Sequence, residues 1–194
     1  NNNSAIYISL FSSLATFILS LFVWYSMDYT LADFQFLEEQ SWINDFIKFK
    51  LGVDGISILF IVLTTLITPI CIISCINSVK DRVKEFLIAI LILETFMIGV
   101  FCSLDLVVFY LFFEAGLIPM FLIIGVWGGP KRVYSAFKFF LFTLLGSVLM
   151  LVAIIAIYWI TGTTDVTQIY EIKIPKEYQN LLSVSYTHLT LPTI

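Results

Sequence analysis

Residues 106–127 read LVVFYLFFEAGLIPMFLIIGVW, an apolar run that carries one charged side chain, Glu114. A helix of about 20 apolar residues crosses the hydrocarbon core of a bilayer. A central glutamate costs about 2.5–3.5 kcal/mol on insertion scales, whereas the Leu, Ile, Val and Phe residues of the run contribute about 4–8 kcal/mol in favour of insertion. The run is therefore predicted to form a membrane-spanning helix in spite of its carboxylate.

Composition and hydropathy extend this prediction to the whole chain. Of the 194 residues, 60% are apolar and 12% are charged, and the mean hydropathy is +1.00. Soluble domains are about 45–50% apolar and about 25% charged, and five long apolar runs with short loops are improbable as their core helices. The predicted fold is all-α, a polytopic transmembrane bundle within residues 1–182, with about five spans at residues 5–27, 52–76, 86–102, 105–127 and 133–160.

The connections between the spans predict the orientation of the bundle. An acidic segment, 28–50, a tight turn at 103–105 and the polar stretch 161–182 fall on one side of the membrane. The connections 77–85 and 128–132 fall on the other side and hold most of the basic residues. Short basic loops stay in the cytoplasm, so the N-terminus is expected on the cytoplasmic or matrix side. The basic residues of these two loops are Lys80, Arg82, Lys84, Lys131 and Arg132, against Lys48 and Lys50 opposite.

Several classes of function receive no support from the sequence. Cys71 and Cys75 lie in an apolar run without further ligands nearby, and Cys102 stands apart, so all three are interpreted as buried thiols rather than metal ligands or disulfides. The net charge of −4 provides no basic patch for nucleic acid. The absence of an initial Met and of a basic first segment favours a fragment over a cleaved signal peptide.

Glu114 is the first candidate functional residue. If its helix begins near residue 105, it lies about 14 Å along the axis, close to the midplane of a core about 30 Å thick. Pro119 has no N–H, so the carbonyl of Ala115 loses its partner, and a helix break beside Gly116 is predicted within one turn of Glu114. Tyr110, one turn earlier, could donate a hydrogen bond to the carboxylate. Two roles stay open: proton relay, or a hydrogen bond that holds helices together.

Four other charged residues lie in or beside the spans. Glu94, midway along the third span, has the same two roles open to it. Lys138 lies about one turn inside the fifth span. Its aliphatic chain could extend so that the ammonium reaches the membrane interface, or the side chain could point inward as one residue of a charged path. Asp54 and Asp105, near span ends, are predicted to cap helices.

Several segments resemble a known family. LVVFYLFFEAGLIPMFLIIGVWGG (106–129), RVYSAFKFFLFTLLGSVLML (132–151), LGVDGISILFIVLTTLITPI (51–70) and ETFMIGVFCSLDLV (94–107) resemble the M, or chain 4, subunits of the proton-pumping NADH–quinone oxidoreductase, respiratory complex I. The resemblance covers about residues 30–182. The FFE-x-x-L-I-P-M element is specific to these subunits among their antiporter-like relatives.

The resemblance implies a fold and roles for particular residues. It implies an antiporter-like fold of about fourteen helices, of which these spans look like helices 2 to 6. Glu114 matches the family's relay glutamate, Lys138 matches the lysine of the AFKFF-like segment, and Glu94 is kept as a further candidate relay residue. The lysine that partners the glutamate in the family has no counterpart here. Residues 183–194, SVSYTHLTLPTI, depart from the family pattern and are expected to be extraneous, so His188 and Pro192 receive no role.

The implied function is proton translocation coupled to quinone reduction by NADH, in a bacterial plasma membrane or a mitochondrial inner membrane. NADH, FMN, iron–sulfur clusters and quinone are expected to bind other subunits, because nothing in this chain suggests a site for them. The expected partners are the other membrane subunits of complex I and the lipid bilayer. One alternative is a subunit of a multisubunit cation/proton antiporter or a membrane-bound hydrogenase. Another is a membrane scaffold whose acidic residues serve only helix packing.

Overall fold

The structure is a computed structural model and describes residues 2–28, 30, 31, 33–43, 47–76, 78–170 and 172. Five long helices, α1 to α5, are each long and apolar enough to cross a membrane, which confirms the five predicted spans. A two-stranded antiparallel hairpin joins α1 to α2 and a short helix follows α5. The elements are α1 (Asn2–Ser26), β1 (Gln35–Ile43), β2 (Ile47–Val53), α2 (Ser57–Cys75), α3 (Val83–Cys102), α4 (Leu106–Trp127), α5 (Arg132–Thr161) and α6 (Val166–Ile169).

The hairpin is the main difference from the expected architecture. The second span was predicted from residue 52, but β2 continues to Val53 and α2 begins at Ser57. The sequence of β2, IKFKLGV, alternates apolar residues with Lys48, Lys50 and Gly52, a period typical of a strand. A Cβ atom at Gly52 would stand 2.6 Å from Cδ1 of Leu104, so a larger residue there would require the Leu104 side chain at the α3–α4 turn to shift.

The helices pack as an antiparallel series. α1 contacts α2 and α3, α3 contacts α4, and α4 contacts α5. Aromatic rings fill the contacts: Phe60 stacks on Phe101 between α2 and α3, at 5.3 Å between ring centroids. Large apolar side chains remain exposed on the outer faces, for example Phe11 at 76% and Trp159 at 87% of full exposure. Such faces suit contact with lipid and would be costly in water.

The hairpin, the α3–α4 turn and the α5–α6 connection form one network at the same end of the bundle. The amide of Leu104 donates to the carbonyl of Lys50 at 3.0 Å, and the amide of Val166 donates to the carbonyl of Leu104 at 2.9 Å. The ammonium of Lys50 lies 2.7 Å from Oδ2 of Asp165; the Asp165 side chain is buried and that of Lys50 is partly buried. Burial alone would raise the pKa of Asp165, but the hydrogen bonds from Lys50 and Thr167 outweigh it and hold that pKa below its ordinary value of 3.8.

Asp105 and Asp54 cap helices at this end, as predicted. Oδ1 of Asp105 accepts hydrogen bonds from the amides of Val107 and Val108, at 2.8 and 3.2 Å. Its Oδ2 accepts a hydrogen bond from the hydroxyl of Thr164. Oδ1 of Asp54 accepts from the amide of Ser57 at 2.6 Å, at the start of α2. These bonds satisfy amides that the first turn of a helix leaves unpaired.

Candidate functional site

Glu114 lies on α4, near the middle of the span. It follows Leu106 by eight residues, which places it about 12 Å along the helix axis. Its side chain lies at a cavity of about 420 Å³ that is lined by one face of α4 and by Phe140 of α5. The lining residues on α4 are Val107, Tyr110, Leu111, Ala115 and Ile118.

One oxygen of Glu114 lacks a hydrogen bond. Its Oε2 atom is buried and has no hydrogen-bond partner among the described residues. Most of the cavity wall is aliphatic or aromatic, so the nearest protein surface cannot solvate a negative charge. A buried carboxylate without a partner is costly unless it is protonated or paired. Glu114 therefore leaves one buried oxygen open to a polar group that the described residues do not supply.

The helix continues through Pro119, so the predicted break there is limited to the hydrogen bond that a proline cannot donate. α4 is helical without interruption from Leu106 to Trp127 and carries Pro119 inside it. A proline removes one N–H, but the hydrogen bonds of the flanking residues keep the helix together, and spans tolerate this loss. Gly116 is likewise helical, and a Cβ atom there would meet Cβ of Phe96 in α3 at an ordinary 3.9 Å. The free carbonyl predicted at Ala115 stays a prediction.

Tyr110 lines the same cavity as Glu114. In the described part of the chain no hydrogen bond joins the two side chains, and Oε2 of Glu114 stays unpaired. Tyr110 and Glu114 therefore line the same cavity without the predicted hydrogen bond between them.

Glu94 lies in a different environment from Glu114. It is 5% exposed and faces α1, where the hydroxyl of Thr16 donates to its Oε1 at 3.0 Å. The same hydroxyl is also 2.9 Å from the carbonyl oxygen of Ser13. The hydroxyl carries one proton, so the two acceptors must share it, and each contact is then weaker than an undivided hydrogen bond. A protonated Glu94 could donate to Thr16 while Thr16 donates to Ser13, and both contacts would then be satisfied.

Sequence reasoning missed the polar face of α1 that receives Glu94. Ser9, Ser13, Thr16 and Ser20 are spaced by four, three and four residues, so they share one face of the helix. Ser9, Ser13 and Ser20 are all buried, and the hydroxyl of Ser20 lies 2.8 Å from that of Thr65 in α2. Small polar residues with helical spacing were the signal, because membrane helices use them for close packing.

Lys138 does not approach either carboxylate. Its side chain is exposed on α5, whereas Phe140, two residues later, lines the Glu114 cavity. Two residues turn a helix by about 200°, so Lys138 projects away from that cavity. Among the described residues no ion pair links Lys138, Glu94 and Glu114.

The described residues contain no group of three or more His, Cys, Asp or Glu side chains arranged to hold a metal ion. Away from the helix ends, the described spans carry two carboxylates, Glu94 and Glu114, and the ammonium of Lys138, besides several hydroxyl groups. Such groups can carry a proton.

Two family profiles match the chain. The profile described as NADH-ubiquinone oxidoreductase chain 4, amino terminus, matches residues 2–100. The profile described as NADH:quinone oxidoreductase/Mrp antiporter, TM, matches residues 103–191. The second range includes part of the tail at 183–194. That tail lies outside the described residues, and its extraneous origin stays a prediction.

Curated relatives match over nearly the whole chain. NADH-quinone oxidoreductase subunit M of Rhodobacter capsulatus is 53% identical over 191 residues, which are 98% of this chain and 35% of that protein. NADH-ubiquinone oxidoreductase chain 4 of Marchantia polymorpha is 48% identical over 181 residues, 92% of this chain and 37% of that protein. The chain therefore spans about a third of the length of these relatives.

Solved structures share the fold. Respiratory complex I from Thermus thermophilus with bound NADH contains a chain with a TM-score of 0.81 and 24% identity, over 95% of this chain and 38% of that one. The Mrp complex of Dietzia contains a chain with a TM-score of 0.77 and 15% identity, over 97% and 23%. The five-span arrangement is thus an antiporter-like membrane fold.

Proposed function

We propose that this chain, which belongs to the family of NADH-ubiquinone oxidoreductase chain 4, forms part of a proton path through a membrane NADH–quinone oxidoreductase. The observation that carries the proposal is the buried, unpartnered Oε2 of Glu114 near the middle of an uninterrupted span. In this proposal Glu114 takes up a proton, holds it in the membrane interior and releases it again.

The surroundings of Glu114 support an exchangeable proton. The cavity beside it is about 420 Å³, which is large enough for water or for a polar side chain from another segment. A polar group that enters would stabilise the charged form, and its departure would favour the neutral form. Such alternation is what a relay residue requires.

Partners and cofactors follow from family membership. The relatives are named as subunits of NADH-quinone and NADH-ubiquinone oxidoreductases. We therefore propose that this chain assembles with other membrane subunits of such a complex. NADH, FMN, the iron–sulfur clusters and quinone would bind those other subunits, and this chain would contribute to proton movement alone.

The proposed orientation follows from loop charge. Lys80, Arg82 and Lys84 precede or begin α3, and Lys131 and Arg132 begin α5, all at one end of the bundle. Positive short loops remain on the cytoplasmic side, so this end would face the cytoplasm or the mitochondrial matrix. The hairpin and α6 would face the opposite compartment. Cysteine labelling at Ser78 and at Thr167 in sealed vesicles tests the assignment, and labelling of Ser78→Cys from the outer side would overturn it.

Glu114→Gln and Glu114→Ala in the full-length subunit, within the assembled complex, test the relay. We expect both variants to assemble and to lose proton pumping and the quinone reduction coupled to it, because neither side chain can carry the proton. Glu85→Gln, which removes an exposed carboxylate outside the centre of the span, is the matched control and should pump normally.

Two results would contradict this role. Normal pumping by an assembled Glu114→Gln complex would show that the carboxylate carries no proton. Failure of Glu114→Gln to assemble, although it preserves the shape of the side chain, would favour the packing role. Lys138→Gln belongs in the same assay. It should reduce pumping if Lys138 carries protons, and it should change nothing if the lysine only reaches the interface.

The antiporter alternative rests on the shared fold and on the second profile, whose description covers both NADH:quinone oxidoreductase and the Mrp antiporter. The Mrp chain shares 15% identity with this chain, and the chain of the membrane-bound sulfane sulfur reductase shares 22%. The curated relatives with 48–53% identity are instead NADH–quinone oxidoreductase subunits. Affinity purification of the full-length protein should recover NADH-oxidising activity, and recovery of antiporter subunits without that activity would favour the alternative.

A further inference from the structure

A second cavity lies at the basic end of the bundle, far from Glu114. It measures about 820 Å³ and is enclosed by the α2–α3 connection, the last turn of α4 and the start of α5. We call it the basic-end cavity. Its wall includes Lys80, Asp81, Arg82, Val126, Trp127 and Arg132.

Specific bonds hold the wall in place. The indole N–H of Trp127 donates to the carbonyl of Asp81 at 2.9 Å, which ties the α2–α3 connection to the end of α4. The ring of Phe86 packs edge-on against the same indole, at 5.2 Å between centroids. Nη1 of Arg132 donates to the carbonyl of Val126 at 2.7 Å and leaves the remaining guanidinium N–H groups for another acceptor.

Two backbone positions shape the cavity. Gly128 allows a sharp exit from α4, because any Cβ atom there would collide with the carbonyl oxygen of Ile124 and crowd Cβ of Arg132. Arg82 has φ of 50°, in the left-handed region, which is unfavourable for a residue other than glycine. This conformation places the arginine at the start of α3 and at the cavity wall.

The charges of the wall are unbalanced. Lys80, Arg82 and Arg132 are positive and Asp81 is negative. Arg82 shares an exposed ion pair with Glu85 at 3.7 Å, a kind of contact that solvent largely screens. Lys80 is exposed and forms no ion pair within the described ranges. The cavity therefore attracts an anion.

The position of the cavity indicates which kind of anion it receives. It lies where three spans end, and tryptophan side chains concentrate at the boundary between hydrocarbon and water. Arginine side chains suit phosphate because the guanidinium group can donate two parallel hydrogen bonds. Basic pockets between membrane helices are suited to anionic headgroups.

We propose that the basic-end cavity binds the phosphate-bearing headgroup of an anionic phospholipid. Arg132 and Lys80 contact the phosphate from α5 and from the α2–α3 connection, and Trp127 lies at the glycerol level below it. The bound lipid bridges two connections that otherwise meet through the Trp127–Asp81 bond. The inference does not depend on proton transfer at Glu114.

Photocrosslinking tests the site in the full-length subunit within its membrane complex. The probes are phosphatidylglycerol and phosphatidylcholine that carry the same photoreactive group on the acyl chain near the headgroup. Crosslinks are mapped by mass spectrometry to peptides that contain residues 78–82 or 125–132. We expect phosphatidylglycerol to label these peptides and phosphatidylcholine to label them weakly.

Charge variants identify the contacts. A lysine or arginine that contacts an anionic headgroup contributes about a fivefold preference for that lipid. The phosphatidylglycerol fraction required for half-maximal labelling should therefore rise about fivefold in Lys80→Gln and further in Lys80→Gln with Arg82→Gln. Lys80→Arg should restore it. Lys131→Gln is the matched control, because it removes the same charge at the same end but from outside the cavity wall.

Three results would overturn the proposal. Equal labelling by the two lipids would remove the preference for an anion. An equal effect of Lys131→Gln and Lys80→Gln would show that the surface charge as a whole attracts the lipid. Displacement of phosphatidylglycerol by inorganic phosphate, without an effect of matched chloride, would assign the cavity to a free ion. Lys80→Gln alone answers these questions if the double variant fails to assemble.

Discussion

The two carboxylates within the membrane spans differ in how their oxygens are satisfied. Glu94 lies between α1 and α3, where the hydroxyl of Thr16 reaches its Oε1 at 3.0 Å. Glu114 faces a cavity at the α4–α5 side, and its Oε2 has no hydrogen-bond partner in the described ranges. Both lie near the centres of their helices, eleven residues after Val83 and eight after Leu106.

This difference shows that the position of a carboxylate within a span does not by itself indicate its role. The two residues lie at similar depths along their helices, so depth alone cannot separate their roles. The neighbouring side chains do separate them. A carboxylate bonded across a helix interface contributes to packing, whereas one that faces a cavity without a partner leaves an oxygen open to water or to a polar group from another segment.

The largest expected effect comes from the same substitution at both positions. Glu114→Gln should lower proton pumping by about a hundredfold, the scale on which a positioned proton-transfer group contributes. Glu94→Gln should keep pumping within about twofold, because an amide oxygen still accepts from Thr16. Pumping is measured by dye quenching in vesicles that contain the assembled complex.

Equal losses in the two variants would end the distinction between the carboxylates. Glu94 would then be a relay residue as well, which its sequence position had left open. The amount of assembled complex is compared first, so that a loss of folding is not counted as a loss of pumping.

The ion pair at the hairpin end shows what a fully partnered carboxylate contributes. Lys50→Met leaves Asp165 buried without its cation and should destabilise the contact between β2 and the α5–α6 connection by about 2 kcal/mol. Hydrogen exchange at the amides of Leu104 and Val166 measures the opening. Arg82→Gln, which breaks an exposed ion pair, is the control and should cost about 0.5 kcal/mol or less.

The pH dependence of this contact has a definite sign. The pKa of Asp165 is held below its ordinary value of 3.8 when the chain is folded. A lowered pKa gives stability that is complete above the ordinary value and is lost as pH falls through the folded value. The difference between wild type and Lys50→Met should therefore be largest near neutral pH and shrink on acidification, as Asp165 becomes protonated. A difference that grows on acidification would contradict the assignment.

A smaller effect is expected at Thr16. Thr16→Val removes the donor to Glu94 and should destabilise the α1–α3 contact by about 0.6–1.7 kcal/mol, the range found for hydrogen bonds between membrane helices. Detergent-induced unfolding of the full-length subunit measures it. Thr95→Val is the matched control, because the Thr95 hydroxyl bonds only the carbonyl of Leu91 in its own helix. Equal destabilisation by the two variants would show that the hydrogen bond between Thr16 and Glu94 does not stabilise the α1–α3 contact.

Sequence alone predicted the spans because each one is long and uniformly apolar. The boundaries of α4 and α5, at 106–127 and 132–161, differ by one residue at most from those predicted. The hairpin was missed because its charged residues, among them Glu38, Glu39 and Lys50, marked the whole segment as a polar loop. The alternation in IKFKLGV was present, but the total charge of the segment masked it.

The candidate site was predictable in its residues and not in its contacts. A lone glutamate in an apolar run stands out in any sequence, so Glu114 and Glu94 were found. Their different environments depend on which helix packs against which face. The spacing of the hydroxyl residues indicates one polar face on α1, but it does not indicate that this face meets Glu94. The free carbonyl predicted beside Pro119 stays a prediction, and the helix continues through this residue because one missing hydrogen bond is not enough to end a membrane helix.

The smallest expected effect concerns Tyr110, which lines the Glu114 cavity without a hydrogen bond to the carboxylate. Tyr110→Phe keeps the ring and the cavity wall and removes only the hydroxyl, so pumping should stay within about twofold of wild type. A loss that approaches that of Glu114→Gln would show that the hydroxyl does reach the carboxylate during turnover. Glu114 would then resemble Glu94 as a partnered group, and the contrast between them would lie in the lifetime of the bond rather than in its presence. Vesicle pumping measured over a range of pH separates these outcomes, because loss of a transient donor would shift the profile and not only its height.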